Sequence, residues 1–122
     1  MIFMSNTTMP ECLFCRIIAG ELPTAFVYQD SQLVVFNDIN PQAPTHVLIV
    51  PRQHIATLND LREDDDGLVG EMIRRAAIIA RERGISSDGY RTVFNCNQGA
   101  GQTVFHIHLH LLGGRSLTWP PG

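Results

Sequence analysis

The chain has 122 residues, enough for one domain of ordinary size and too few for two. Hydrophobic residues make up 44% and charged residues 17%, too apolar a mixture for a disordered chain, and a net charge of -3 leaves no basic excess with which to grip nucleic acid against salt. All nine basic residues are arginines, so Schiff-base or Walker-type lysine chemistry is excluded, whereas a local pocket for a nucleotide is not.

Residues 1–10 lack the basic start and long apolar core of a secretory signal and read as a flexible extension ahead of a domain over 11–122. The longest apolar runs, Val47 to Val50 and Ala76 to Ala80, are far too short to span a membrane, so a cytoplasmic protein with no membrane partner is expected. Cys12 and Cys15 follow as a C-x-x-C pair at the head of a short helical stretch over 12–19; three cysteines give no disulfide framework, and in a reducing compartment this spacing suggests metal or redox chemistry.

Strands are expected at 25–29, 33–37 and 46–50, where β-branched and aromatic residues lie between turn formers, and a second short helical piece at 55–61. The acidic residues Glu63 to Asp66 sit where negative charge meets the positive end of a helix dipole. From 66 to 83 Leu68, Val69, Met72, Ile73, Ala76, Ala77, Ile79 and Ala80 recur at three and four, which predicts one amphipathic helix stopped by Gly84. Two more strands, at 91–95 and 103–112, complete an α+β fold. A five-stranded antiparallel meander with one long helix on a face and short helices besides is the expected architecture, because only the connection from Val50 to Arg91 is long enough for a crossover. A Pro-rich tail ends the chain.

The last strand carries the strongest chemical signal. On an extended strand His106, His108 and His110 would line one face while Phe105, Ile107, Leu109 and Leu111 anchor the other, and three alternating imidazoles within apolar sequence are hard to explain as core residues. Just upstream, the loop 95–103 contains Gly99 and Gly101, which allow positive φ. Backbone amides there could converge on an anion beside the donors Gln102 and Thr103.

The run His106-Ile107-His108-Leu109-His110-Leu111-Leu112 resembles the His-φ-His-φ-His-φ-φ signature, with φ apolar, of the histidine triad (HIT) family. Collinear similarities are Cys12-Leu13-Phe14-Cys15-Arg16-Ile17-Ile18, Phe36-Asn37-Asp38-Ile39-Asn40-Pro41-Gln42-Ala43-Pro44-Thr45-His46, Pro51-Arg52-Gln53-His54-Ile55 and Gly101-Gln102-Thr103-Val104-Phe105. The ending Gly113-Gly114-Arg115 with Trp119-Pro120-Pro121-Gly122 is similar to the Hint branch, although Arg52 and Gln53 stand where lysines are frequent and Thr103 where Ser is common.

The resemblance implies a purine-nucleotide phosphoramidase that hydrolyses the P–N bond of adenosine 5'-phosphoramidate-like or aminoacyl-adenylate-like compounds through a nucleotidyl-histidine. On that reading His108 is the nucleophile, His110 contacts the phosphate, and His106 with His46 completes a relay of hydrogen bonds. Asp38 accepts from the ribose, Ile39, Phe14 and Ile17 enclose the base, and Asn95, Gln102 and Thr103 lie near the phosphate. Cys12, Cys15, His54 and His106 resemble the ligands of a structural zinc site in some bacterial relatives, with no cofactor required for catalysis; the alternative is two reduced, half-buried thiols in a short helix, with Cys96 a third, ordinary buried thiol. A homodimer through the helix 66–83 and the strand 91–95 is implied as well. Trp119 either staples the tail to the body or crosses that interface to the partner's leaving group. The alternatives are a dinucleoside polyphosphate hydrolase or nucleotidyl transferase of the same family, and a non-enzymatic protein that binds nucleotide or zinc.

Overall fold

The computed structural model describes residues 9–122, so the expected extension over 1–10 lies almost wholly outside the described residues. Five antiparallel strands form one sheet: β1 (Phe26–Gln29), β2 (Leu33–Asn37), β3 (Thr45–Pro51), β4 (Tyr90–Val93) and β5 (Leu109–Gly113), with a six-residue helix α1 (Leu13–Ile18) and a 17-residue helix α2 (Asp66–Glu82). Cys12 is the N-cap of α1. Gly84, at φ +74, turns the chain where an L side chain would be strained, and the amide of Ile85 closes the end of α2 on the Ala80 carbonyl. The piece expected at 55–61 is a single 3₁₀ turn (Leu58–Asp60) capped by Thr57, and the acidic cluster forms a separate 3₁₀ turn (Glu63–Asp65) ahead of α2 rather than its first turn.

Two expectations about the sheet are corrected. The strand order is β1-β2-β3-β5-β4, so β5 inserts between β3 and β4 and the sheet is not a simple meander. The connection through α2 carries the chain past the place that β5 later fills. The final strand also begins at Leu109 and not at 103, because the backbone bends at 104–106 and the Ile107 amide bonds to the Ile55 carbonyl instead of joining the ladder.

β3 lies in the middle and is buried over its whole length, with the apolar run Val47 to Val50 at its centre. On one face Leu33, Val35, Val47, Ile49, Leu109 and Leu111 pack against Met72, Ala76, Ile79 and Ala80 of α2. On the other, Val34, Phe36, Leu48 and Val50 pack against Cys12, Phe14 and Cys15. The period of two therefore divides each inner strand between a hydrophobic layer under α2 and a second layer under α1, and His46 and His110 project on the α1 side.

Candidate active site

His46 sits opposite Leu112, and His110 opposite Leu48, so the two histidines are diagonal neighbours across β3 and β5. Their rings meet: His46 Nε2 is 2.9 Å from His110 Nδ1. The backbone amide of Gln42 donates to His46 Nδ1 at 3.0 Å, which makes that nitrogen an acceptor and puts the His46 proton on Nε2. His46 then donates to His110 Nδ1, and neutral His110 carries its own proton on Nε2. Burial lowers the pKa of both rings, that of His110 to about 4 with the neighbouring His108 and His46 adding to the effect, so the neutral forms persist at physiological pH.

The same logic fixes His108. Its Nδ1 lies 2.8 Å from the His106 carbonyl, which can only accept, so Nδ1 holds the proton and Nε2 keeps its lone pair. Among the described residues no protein group bonds that Nε2. Burial lowers this pKa too, and Phe14 supports the ring edge-on at a centroid distance of 5.0 Å.

A cleft of about 490 Å³ opens over these rings and is lined by Phe14, Ile17, Asp38, Ile39, Asn95, Thr103, His108 and His110. The structure thus brings together eight of the twelve residues expected for catalysis or nucleotide contact. Asp38 is held by an Asx turn, with Oδ1 accepting from the Asn40 amide at 2.8 Å and Oδ2 3.4 Å from His46 Nε2. Phe36 and Val104, which lie within the similar stretches but to which the resemblance assigns no role, and Leu22, Pro23 and Leu48, which lie outside them, complete an apolar wall; nothing distinguishes them in sequence from core residues.

Four expected residues lie elsewhere. His46 supports His110 from behind. Gln102 is buried with its amide committed, donating to the Ala56 and Val104 carbonyls and accepting from the Asn97 amide, so it fastens the loop instead of facing the cleft. Trp119 is 81% exposed and does not staple the tail to its own chain. His106 lies on the same α1 side as His108 and His110, but its ring is fully buried against Cys12, Cys15 and His54 and does not line the cleft; Phe105 is 45% exposed and not an anchor.

The loop also departs from expectation. Gly101 has φ +91, but Gly99 does not have positive φ and Asn97, at +69, does. The amides of Ala100, Gly101 and Gln102 donate to the carbonyls of Asn97 and Gln98, so these three are not available to an anion. Cys96 is half-buried.

His106 instead completes a second cluster. Its Nε2–H donates to the Pro51 carbonyl at 2.7 Å, leaving Nδ1 free, and that Nδ1 lies 3.4 Å from Cys12 Sγ, 3.5 Å from Cys15 Sγ and 3.2 Å from His54 Nδ1. Cys15 Sγ is 3.3 Å from His54 Nδ1. A tetrahedral zinc with bonds of roughly 2.0–2.1 Å to nitrogen and 2.3 Å to sulfur sets its ligands about 3.3–3.8 Å apart. These four separations lie close to that spacing, all four ligand atoms lie within 4.8 Å of one another, and the set could bind a metal ion. Burial pushes the Cys15 thiol up to about 11 and His106 down to about 4, so a cation there would displace thiol protons and meet neutral imidazoles. Asp38, His46 and His110 also lie close together, but an ion on His46 Nε2 would leave both nitrogens of that ring without a proton while Gln42 still donates to Nδ1.

Similarity to known proteins extends over most of the chain. Residues 11–118 match the family model described as "Scavenger mRNA decapping enzyme C-term binding". The chain is 50% identical over 107 residues to the purine nucleoside phosphoramidase of Escherichia coli K12, covering 88% of this chain and 90% of that one. It is 45% identical over 112 residues, 92% of this chain and 97% of the other, to an uncharacterized HIT-like protein of Synechococcus elongatus. A HIT family hydrolase from Legionella pneumophila superposes with a TM-score of 0.90 at 55% identity, covering 92% of this chain and all of that one.

Proposed function

The chain belongs to the histidine triad (HIT) family of hydrolases, and on that footing we propose that residues 11–122 form a phosphoramidase acting on purine nucleoside phosphoramidates. One observation carries the reading: His108 has its Nδ1 proton held by a carbonyl and its Nε2 lone pair left at the wall of a nucleotide-sized cleft, beside the N–H of a His110 that burial keeps neutral at physiological pH. The apolar wall with Phe14, Ile17 and Ile39 takes the base, and Asp38 accepts from the ribose. Asn95 and Thr103 stand toward the phosphate.

In the first step His108 Nε2 forms a bond to the α-phosphorus while the P–N bond breaks, its electron pair leaving on nitrogen, which takes a proton from water. His110 Nε2–H donates to a phosphoryl oxygen as charge grows there; its low pKa makes it a fixed donor and not a titrating acid. Water then adds at phosphorus and gives up a proton to the hydroxide left by the first step, the electron pair of the bond to His108 returns to Nε2, and the nucleoside monophosphate departs. The relay runs from Gln42 through His46 to His110, and His106 enters through its carbonyl, not its ring.

Cys12, Cys15, His54 and His106 are read as a structural zinc site. An ion there would supply a closed, four-coordinate link between α1, the segment after β3 and the segment before β5. No described helix is long and apolar enough to cross a membrane, and we read the protein as cytoplasmic, with neither membrane nor nucleic acid as partner. A homodimer is favoured by the exposed Ile73 on α2 and by the open edge of β4. The deciding test is turnover of adenosine 5'-phosphoramidate with and without a chelator. Release of the monophosphate in both is expected, and its absence in both would leave a binding protein.

A further inference from the structure

The two thiols of the cysteine–histidine cluster differ in access. Cys12 keeps 8% of its surface and lines a pocket of about 390 Å³ together with Glu11, Leu13, His54 and Phe105, whereas Cys15 is 1% exposed and does not line it. This pocket is separate from the nucleotide cleft and shares with it only the wall made by Leu13, Thr103 and Val104. A small solute therefore meets the Cys12 sulfur before that of Cys15.

The C-x-x-C spacing puts both sulfurs on one turn of chain. The Arg16 amide donates to the Cys12 carbonyl at 3.0 Å and closes that turn, and the Cys15 amide donates to Cys12 Sγ at 3.4 Å. The two sulfurs lie within 4.8 Å of one another, and both lie beside the same His106 Nδ1, at 3.4 and 3.5 Å. Cys96 follows β4 and has no part in the cluster.

We propose that Cys12 and Cys15 are an oxidisable dithiol: a hydroperoxide oxidises Cys12, Cys15 closes the disulfide, and the disulfide and a metal ion exclude one another. The last clause rests on the reading of the cluster as a metal site. With hydrogen peroxide, the Cys12 sulfur bonds to one oxygen, the O–O bond breaks, and the departing hydroxide takes the thiol proton, which leaves a sulfenic acid and water. The Cys15 sulfur then attacks the Cys12 sulfur, and the hydroxide displaced takes the Cys15 proton as a second water. Two thiols have lost two electrons, and the peroxide has been reduced to two waters. An S–S bond of roughly 2.05 Å draws the sulfurs toward each other and away from His54 and His106. Without thiolate charge they no longer serve a metal, and two imidazoles are half of a four-ligand set. A metal held by both sulfurs in turn occupies the lone pairs that attack peroxide, so loading protects the pair.

In the test, the full chain, reduced and freed of reductant, is treated with hydrogen peroxide, digested without reduction and mapped by mass spectrometry. The peptide that contains Cys12 and Cys15 is expected to lose two hydrogens, dithiothreitol to restore them, and zinc added beforehand to suppress the change. Sulfurs that stay reduced, sulfinic acid at Cys12 with no disulfide, or oxidation confined to Cys96 would overturn the proposal. The order of attack is read with dimedone, which should label Cys12 in Cys15→Ser and leave Cys15 unlabelled in Cys12→Ser; equal labelling would overturn that order. Should those variants fail to fold, iodoacetamide on the parent chain decides the same point: Cys12 is expected to react well before Cys15, and equal rates would overturn it. Zinc titrated by calorimetry should bind the reduced protein and not the oxidised one. Equal affinities would overturn the exclusion; no binding even to the reduced protein would overturn the exclusion and the structural zinc reading together, with the disulfide resting on the mapping alone.

Discussion

At the scale of single residues, the site is defined by where protons sit. Two backbone groups settle this: the Gln42 amide, which forces His46 to donate toward His110, and the His106 carbonyl, which holds the Nδ1 proton of His108. The types and spacing of the histidines are legible in the sequence, but main-chain donors carry no side-chain signature. The buried neutral rings also set a pH dependence. His110 has its pKa lowered from 6.5 to about 4, so the unfolded chain takes up a proton between those values that the fold refuses. Stability from this group is complete above about pH 6.5 and is lost as pH falls toward 4. Tm should therefore drop as pH is lowered from 7 to 5, with a shallower slope in His110→Gln; equal slopes in the two proteins would remove His110 as the cause.

Among the elements, β5 is the most instructive. Alternation of apolar residues and histidines from 103 to 112 suggests one strand, yet the ladder begins at Leu109. Periodicity reports which way side chains point, not what the backbone bonds to, and the bend at 104–106 takes the backbone off the ladder while the alternation of His106, Ile107 and His108 persists. The motif is thus split between two centres: His108 and His110 face the cleft while His106 faces the cysteines. The order β3-β5-β4 was equally hidden, because connection lengths limit which strands can be neighbours but do not say that a later strand fills the gap. What anchors β5 is the layer under α2, where Leu111 is fully buried. Leu111→Ala should cost about 2–5 kcal/mol in a denaturant titration, and a loss well under 1 kcal/mol would show that α2 does not clamp the catalytic strand.

For the whole molecule, two centres share one set of supports. Phe14, between Cys12 and Cys15, packs on His108 at 5.0 Å and on His106 at 5.9 Å, and lines the nucleotide cleft. A metal on the cysteines would therefore stiffen the floor of the nucleotide site while touching no reacting atom. Removing zinc with a chelator should lower Tm by more than about 5 °C, and Cys12→Ser with Cys15→Ser should abolish that sensitivity; a Tm indifferent to chelator would leave two reduced thiols. Trp119 is 81% exposed on its own chain. On the proposed homodimer reading it reaches the partner's leaving group, so Trp119→Ala should change the kcat/KM ratio of aromatic to aliphatic phosphoramidates several-fold, whereas an unchanged ratio would assign it no part in substrate choice.

The central claim is that His108 Nε2 carries the nucleotide between the two steps. Mixing the protein with adenosine 5'-phosphoramidate, quenching within one turnover and mapping the adduct by mass spectrometry addresses it directly. Adenylate on the peptide that contains His108, together with loss of both adduct and turnover in a folded His108→Ala variant, is the predicted result. Substantial hydrolysis by His108→Ala, or adenylate attached to another residue, would contradict it.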